Sequence, residues 1–124
     1  GIVLTPRHIC DLFCDLLDIQ ATDIVLDPCC GTAGFLVAAM HHMLEKAGTD
    51  QNKRKNIKKK QLHGFELQSN MFAIAATNMI LRDDGNSNIK CEDFLRQNSA
   101  QVQLKGWHDE SSLFARNQVR SVSV

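Results

Sequence analysis

The order of apolar segments along this chain predicts an α/β protein: a parallel β-α-β-α-β core preceded by a helix. Three observations carry that expectation. Short β-branched and aliphatic runs near residues 24–26, 62–66 and 89–91 alternate with two segments of helical period. The first of these runs, Ile24-Val-Leu26, is uninterrupted, as in buried parallel strands. Each ends on an acid, at Asp27, Glu66 and Asp93. Strands separated by helices imply a parallel sheet with right-handed crossovers.

Each element has its own local signal. Thr5-Pro6 reads as a helix start, with Thr5 as N-cap and proline at the first helical position. Ile9, Leu12, Phe13, Leu16 and Leu17 then recur at helical spacing. After the first strand comes the small-residue loop Asp27-Pro-Cys-Cys-Gly-Thr-Ala-Gly-Phe35, with a helix opening near Gly34. Leu36, Met40, Met43, Leu44 and Ala47 share one face of that helix, and Gly48 stops it. Residues 49–60 are polar and lysine-rich and are expected to be a loop. After the second strand, Ser69 or Asn70 caps a helix whose stripe is Phe72, Ala75, Ala76, Met79 and Ile80. Asp84-Gly85-Asn86 signals a turn before the third strand. The pattern dissolves after about Leu95. The expected organisation is therefore one domain over 1–96 and an unpatterned tail over 97–124.

The 124 residues suit a single modest core, and 44% apolar with 23% charged residues is ordinary globular composition. No apolar run is long enough for a bilayer. Five cysteines, two of them adjacent, read as reduced thiols of a cytoplasmic protein. The net charge is zero but unevenly spread. Residues 1–50 carry two basic and seven acidic side chains, whereas 51–60 carry six basic and none acidic. That island over 53–60 reads as a solvated face, with phosphate contact as the sharper alternative. Cys10, Cys14, Cys29, Cys30, Cys91, His41 and His42 form no metal-ligand spacing, so no metal site is expected. His8, His63 and Trp107 read as structural or solvent-facing residues.

Ligands of open α/β sheets bind outside the carboxyl ends of the strands, where Asp27, Glu66 and Asp93 would gather around the glycine loop. An acid at the second strand end suits a ribose diol. An acid beside Phe94 at the third suits the amine and face of an adenine. The loop lacks a Walker lysine and the full dinucleotide fingerprint, which disfavours a nucleoside triphosphate or NAD.

These residues carry a family resemblance. Asp27-Pro-Cys-Cys-Gly-Thr-Ala-Gly-Phe35 resembles the first cofactor motif of adenine-N6 DNA methyltransferases, closest to the modification subunits of type I restriction enzymes. Thr5-Pro6-Arg7-His8-Ile9 resembles the motif that precedes it. Gly64-Phe-Glu66 with Asn78-Met-Ile-Leu81, and Gly85-Asn-Ser-Asn-Ile89 with Asp93-Phe94, resemble the second and third. The similarity covers roughly residues 3–96. It implies a Rossmann-like S-adenosylmethionine-dependent methyltransferase fold, incomplete here, in a bacterial or archaeal cytoplasm. It further implies that Cys30, Gly31, Thr32, Ala33, Gly34 and Phe35 wrap the methionine moiety, with Asp27 near its amino group and Thr5 and Pro6 closing that side. Glu66 would hold the ribose, Asp93 the adenine amine, and Phe94 would pack on the ring. Ala33 departs from the family's usual glycine, and a positive φ there would cost about 1 kcal/mol.

A second departure concerns chemistry. The family's Asn/Asp-Pro-Pro-Phe/Tyr motif grips the flipped base, and this chain has only Pro6 and Pro28. No catalytic residue is therefore expected in it, and the chain reads as an incomplete, truncated methyltransferase domain, inactive alone. DNA, together with the specificity and restriction subunits of a type I complex, would be partners of a complete enzyme. In the family's strand order the first strand would be left as a sheet edge, open to self-association, unless 119–124 supplies a short edge strand. Two further readings stay open: a non-catalytic remnant acting only through protein association, and a methyltransferase for another substrate.

Overall fold

Four strands form one parallel sheet: β1 (Ile24–Asp27), β2 (Leu62–Phe65), β3 (Ile89–Lys90) and β4 (Val119–Ser121), in the order β3-β2-β1-β4. The computed structural model describes residues 5–82, 88–93 and 119–121. Val25 pairs with Leu62, Asp27 with Gly64, and Gly64 with Ile89, so β1, β2 and β3 finish at one edge of the sheet. The expected α/β class and parallel order are found. The open edge expected at β1 is not, because Ile24, Val25 and Leu26 pair with Val119, Arg120 and Ser121. Among the described residues the outer strands are instead β3 and β4, of two and three residues, too short to be strong templates for self-pairing.

Helix α1 (Arg7–Leu16) differs from its sequence reading in two ways. Pro6, not Thr5, is its N-cap, held by an extended ψ of 144°, and the Pro6 carbonyl accepts the N–H groups of Ile9 and Cys10. Its buried residues are Cys10 and Cys14, while Leu12, Phe13 and Leu16 are 50%, 40% and 71% exposed. Helix α2 (Gly34–Ala47) covers only one flank of α1, so one narrow side is buried and the wider apolar stripe faces outward. Between them, the Phe13 and Phe35 rings meet edge to face, 5.6 Å apart. His42 on α2 lies 3.6 Å from Asp11 and 3.5 Å from Asp15 on α1.

Helix α2 supplies the centre of the core through Leu36, Ala39, Met40 and Met43. Helix α4 (Ser69–Arg82) buries Met71, Ala75 and Met79, but Ile80 is 44% exposed, contrary to its expected place in the stripe. The segment expected as a polar loop is helical instead: α3 (Gln51–Asn56) runs into one wide π-type turn at Ile57–Gln61. Asp50 caps it by accepting from the Lys53 N–H, and the Arg54 guanidinium donates to the Leu44 and Gly48 carbonyls. Ile57 is fully buried in the core, and that apolar anchor fixes a segment otherwise basic and solvated. Ile57→Ala is expected to cost about 2–5 kcal/mol, read as a lower urea midpoint at an unchanged slope. The turn expected at 84–86 lies outside the described residues.

Candidate cofactor-binding site

The strand β1 delivers Asp27 into the sheet's carboxyl edge with only 2% of its surface exposed. One carboxylate oxygen accepts the Cys29 N–H at 3.1 Å. Burial pushes its pKa up to about 6, opposed by that N–H and reinforced by the charge of Glu66. Glu66 follows β2 directly, half-buried, its N–H bonded to the Lys90 carbonyl at 2.9 Å. The Cys29 thiol is pushed up, first by burial and then by the charges of Asp27, Glu66 and Asp93. Cys30 is raised to about 12 by burial, Asp27 and Glu66, and is a neutral packing residue. Asp27 thus ends β1, Glu66 follows β2, and Asp93 lies three residues beyond β3, all on the side of the sheet where the strands finish.

The loop from Pro28 to Ala33 is fixed by its own backbone. The Cys30 N–H bonds the Phe65 carbonyl at 2.9 Å, joining the loop to β2, and the Ala33 N–H turns back to the Cys30 carbonyl at 2.8 Å. Two residues take the left-handed conformation, Gly31 at φ +54° and Ala33 at φ +68°. Ala33 thus meets the conformation that disfavours it. Its methyl group is fully buried in the core, worth about 0.8 kcal/mol against a strain of about 1–2 kcal/mol. The two nearly offset, which explains how alanine is accommodated. The far side of the loop is tethered by Asn78 of α4, whose amide donates to the Thr32 carbonyl at 3.0 Å.

Other expected site residues divide by position. Thr5 sits with Thr32 and Gly34 in the wall of one cavity, so the segment before α1 does meet the loop. Pro6 serves as the α1 cap. The Phe35 side chain is 6% exposed in the core against Phe13, so only its backbone remains for a ligand. Phe94 lies outside the described residues. Arg7 and Arg82 also line the cavity, and sequence reasoning assigned them no role. Among the described residues, no group of three or more metal-binding side chains occurs. No described helix is long and apolar enough to cross a membrane.

A parallel sheet with acids at or just beyond its strand ends and a Gly/Cys loop after β1 is the arrangement found here, and comparison with known proteins gives its family. Residues 1–112 match the family described as N-6 DNA Methylase, to which the chain belongs. It is 54% identical over 89 residues to the type II restriction enzyme and methyltransferase RM.BcgI of Heyndrickxia coagulans, covering 72% of this chain and 14% of that protein. It is 28% identical over 81 residues to the EcoEI type I methylase subunit of Escherichia coli, covering 65% and 16%. Among solved structures, a modification subunit assigned to a type I restriction enzyme of Vibrio vulnificus YJ016 superposes with a TM-score of 0.65 at 32% identity, covering 74% of this chain and 19% of that one. The chain therefore spans about one seventh of the length of the curated relatives it matches.

Proposed function

We propose that this chain is the S-adenosylmethionine-binding portion of an adenine-N6 DNA methyltransferase from a restriction-modification system. The observation that supports the reading is that Asp27 at the end of β1 and Glu66 just after β2 flank a loop bonded to β2 through the Cys30 N–H and the Phe65 carbonyl, with Asp93 beyond β3. The donor set fits the cofactor. It is cationic at its sulfonium and amine, and its diol and adenine amine are hydrogen-bond donors, so carboxylates complement both. Bound there, the cofactor supplies an electrophilic methyl group.

In this reading Glu66 accepts from the ribose hydroxyls and Asp93 from the adenine amine. Asp27 faces the methionine amine, and the backbone of Cys30–Gly34 holds the methionine moiety, with Phe94 on the adenine ring. Thr5 and Pro6 close the methionine end. No residue of this chain takes the base-gripping role, since Pro6 and Pro28 are the only prolines. Methyl transfer to DNA then requires that role to be supplied by further chain. A DNA duplex and the specificity and restriction subunits of such a complex are its proposed partners, in a cytoplasm that keeps its five free thiols reduced. The relatives include a type II enzyme and type I subunits, so the reading covers the portion both share.

Calorimetric titration of the folded chain with S-adenosylmethionine tests this directly. Wild type is expected to bind, and Glu66→Ala to weaken binding by at least about tenfold, since a hydrogen bond to a charged group contributes about 1.5–3 kcal/mol. A folded wild type that gives no heat overturns the reading.

A further inference from the structure

The Gly31–Gly34 loop borders a second, chemically opposite space. A cavity of about 180 Å³ opens between the start of α1, the first turn of α2 and the end of α4. Thr5, Arg7, Thr32, Gly34, Asn78 and Arg82 supply its polar wall, and among the described residues no acidic side chain lines it. Two arginine residues therefore border one small space. Neither forms an ion pair among the described residues, and Arg82 makes only a long bond of 3.4 Å to the Asn78 carbonyl. Arginine cannot relieve such proximity by losing its proton.

The cavity also has the shape and stiffness of a site. The Asn78 amide, bonded to the Thr32 carbonyl, ties the α4 wall to the loop wall. Gly34 opens the helix, so the positive end of its dipole adds to the two cations. Guanidinium groups recognise planar or tetrahedral oxygen anions through paired N–H donors, and two hydroxyl side chains, Thr5 and Thr32, add single bonds.

We propose that this cavity is an oxyanion site, holding a carboxylate or phosphate group between Arg7 and Arg82. Two sources carry that chemistry. One is the carboxylate of the cofactor's amino-acid end, which would reach the cavity across the shared wall at Thr32 and Gly34 while its amine and sulfonium face the acids. The other is a backbone phosphate of DNA. Assignment to the cofactor rests on the proposed function above; the oxyanion site itself does not.

The site is tested first without cofactor. In the full chain labelled at arginine, titration with inorganic phosphate and with acetate is expected to shift the Nε–H resonances of Arg7 and Arg82 together and saturably. Arg54, bonded to the Leu44 and Gly48 carbonyls, should stay fixed. Arg7→Gln should abolish the response at Arg82. A shift that does not saturate, or that Arg54 shares, overturns the proposal. Calorimetry then separates the sources. If the anion is the cofactor carboxylate, Arg82→Gln weakens S-adenosylmethionine by about tenfold and leaves its decarboxylated analogue unaffected. If it is phosphate, both ligands are unaffected and the salt dependence of duplex binding falls. Arg82→Lys keeps the charge, loses the paired donors, and should fall between wild type and glutamine, which guards against a folding defect. A saturable phosphate response in a chain that binds no cofactor would uphold the site and sink the proposed function.

Discussion

Asp27→Asn is expected to raise the stability of the unliganded chain at pH 7 by up to about 3 kcal/mol while costing it cofactor affinity. The wild-type carboxyl has its ordinary pKa of 3.8 in the unfolded chain and about 6 in the fold, mainly because burial disfavours its charge. The native state thus holds the proton more tightly. The resulting stabilisation is fully present below about pH 4 and is lost as pH rises through 6. Asparagine keeps an oxygen for the Cys29 N–H and carries no charge to desolvate.

The stability difference between variant and wild type should therefore be near zero at pH 4, grow through pH 6 and level off. Denaturant midpoints across that range measure it. Using the difference matters, because His63 pulls the other way. Burial lowers its pKa below 6.5, so its contribution is present above that pH and lost on acidification. Its ring N–H donates to the Lys60 carbonyl at 2.7 Å, inside the π-type turn. In the same variant, S-adenosylmethionine affinity is expected to fall at least about tenfold, with the loss of a charge facing the amine. A variant neither more stable at pH 7 nor weaker in binding would refute Asp27 as a buried charge held for a cation.

Gly64→Ala is expected to destabilise the fold by about 1–3 kcal/mol and to disturb the crevice as well. A methyl group at this position in β2 would stand 2.8 Å from the Ile89 side chain, 2.9 Å from that of Leu36 and 3.1 Å from the Cys30 Cβ. Leu36 is fully buried and cannot swing away, and Cys30 Cβ is one bond from the loop backbone. Relief must therefore come from moving β2 or the loop. Gly64 is in register with Asp27, and Glu66 is two residues on, so either movement separates the carboxylates. Gly34→Ala is the control: its added methyl meets Cys10 Sγ at 3.7 Å, an ordinary contact, and should change stability by no more than about 0.5 kcal/mol. Equal effects of the two substitutions would refute the packing argument.

Asp27 and Glu66 could be placed at or just after strand ends from the sequence because each follows a short apolar-rich run, and parallel strands finish together, whereas Asp93 lies three residues beyond the shorter β3. The left-handed conformation at Ala33 was foreshadowed only by the resemblance, in which that position is usually glycine. Helix α1 was harder: Leu12, Phe13 and Leu16 mark a helix correctly, yet periodicity states only that an apolar face exists, not which neighbour covers it. Residues 51–61 misled because their helix rests on one buried side chain, Ile57, and on the Asp50 and Arg54 caps.

By itself, then, the sequence determined the parallel α/β class, the strand ends and the acid-lined loop, since these depend on local pattern and on a chemistry spelled out in consecutive residues. Tertiary structure decided that Val119–Ser121, a candidate edge strand in the sequence, does pair with β1, and that Gly64 must lack a side chain. It also brought Arg7 and Arg82 into one cavity. Each of these joins residues far apart in the chain. Such contacts are selected by packing and charge in three dimensions, and they leave no periodic trace in one.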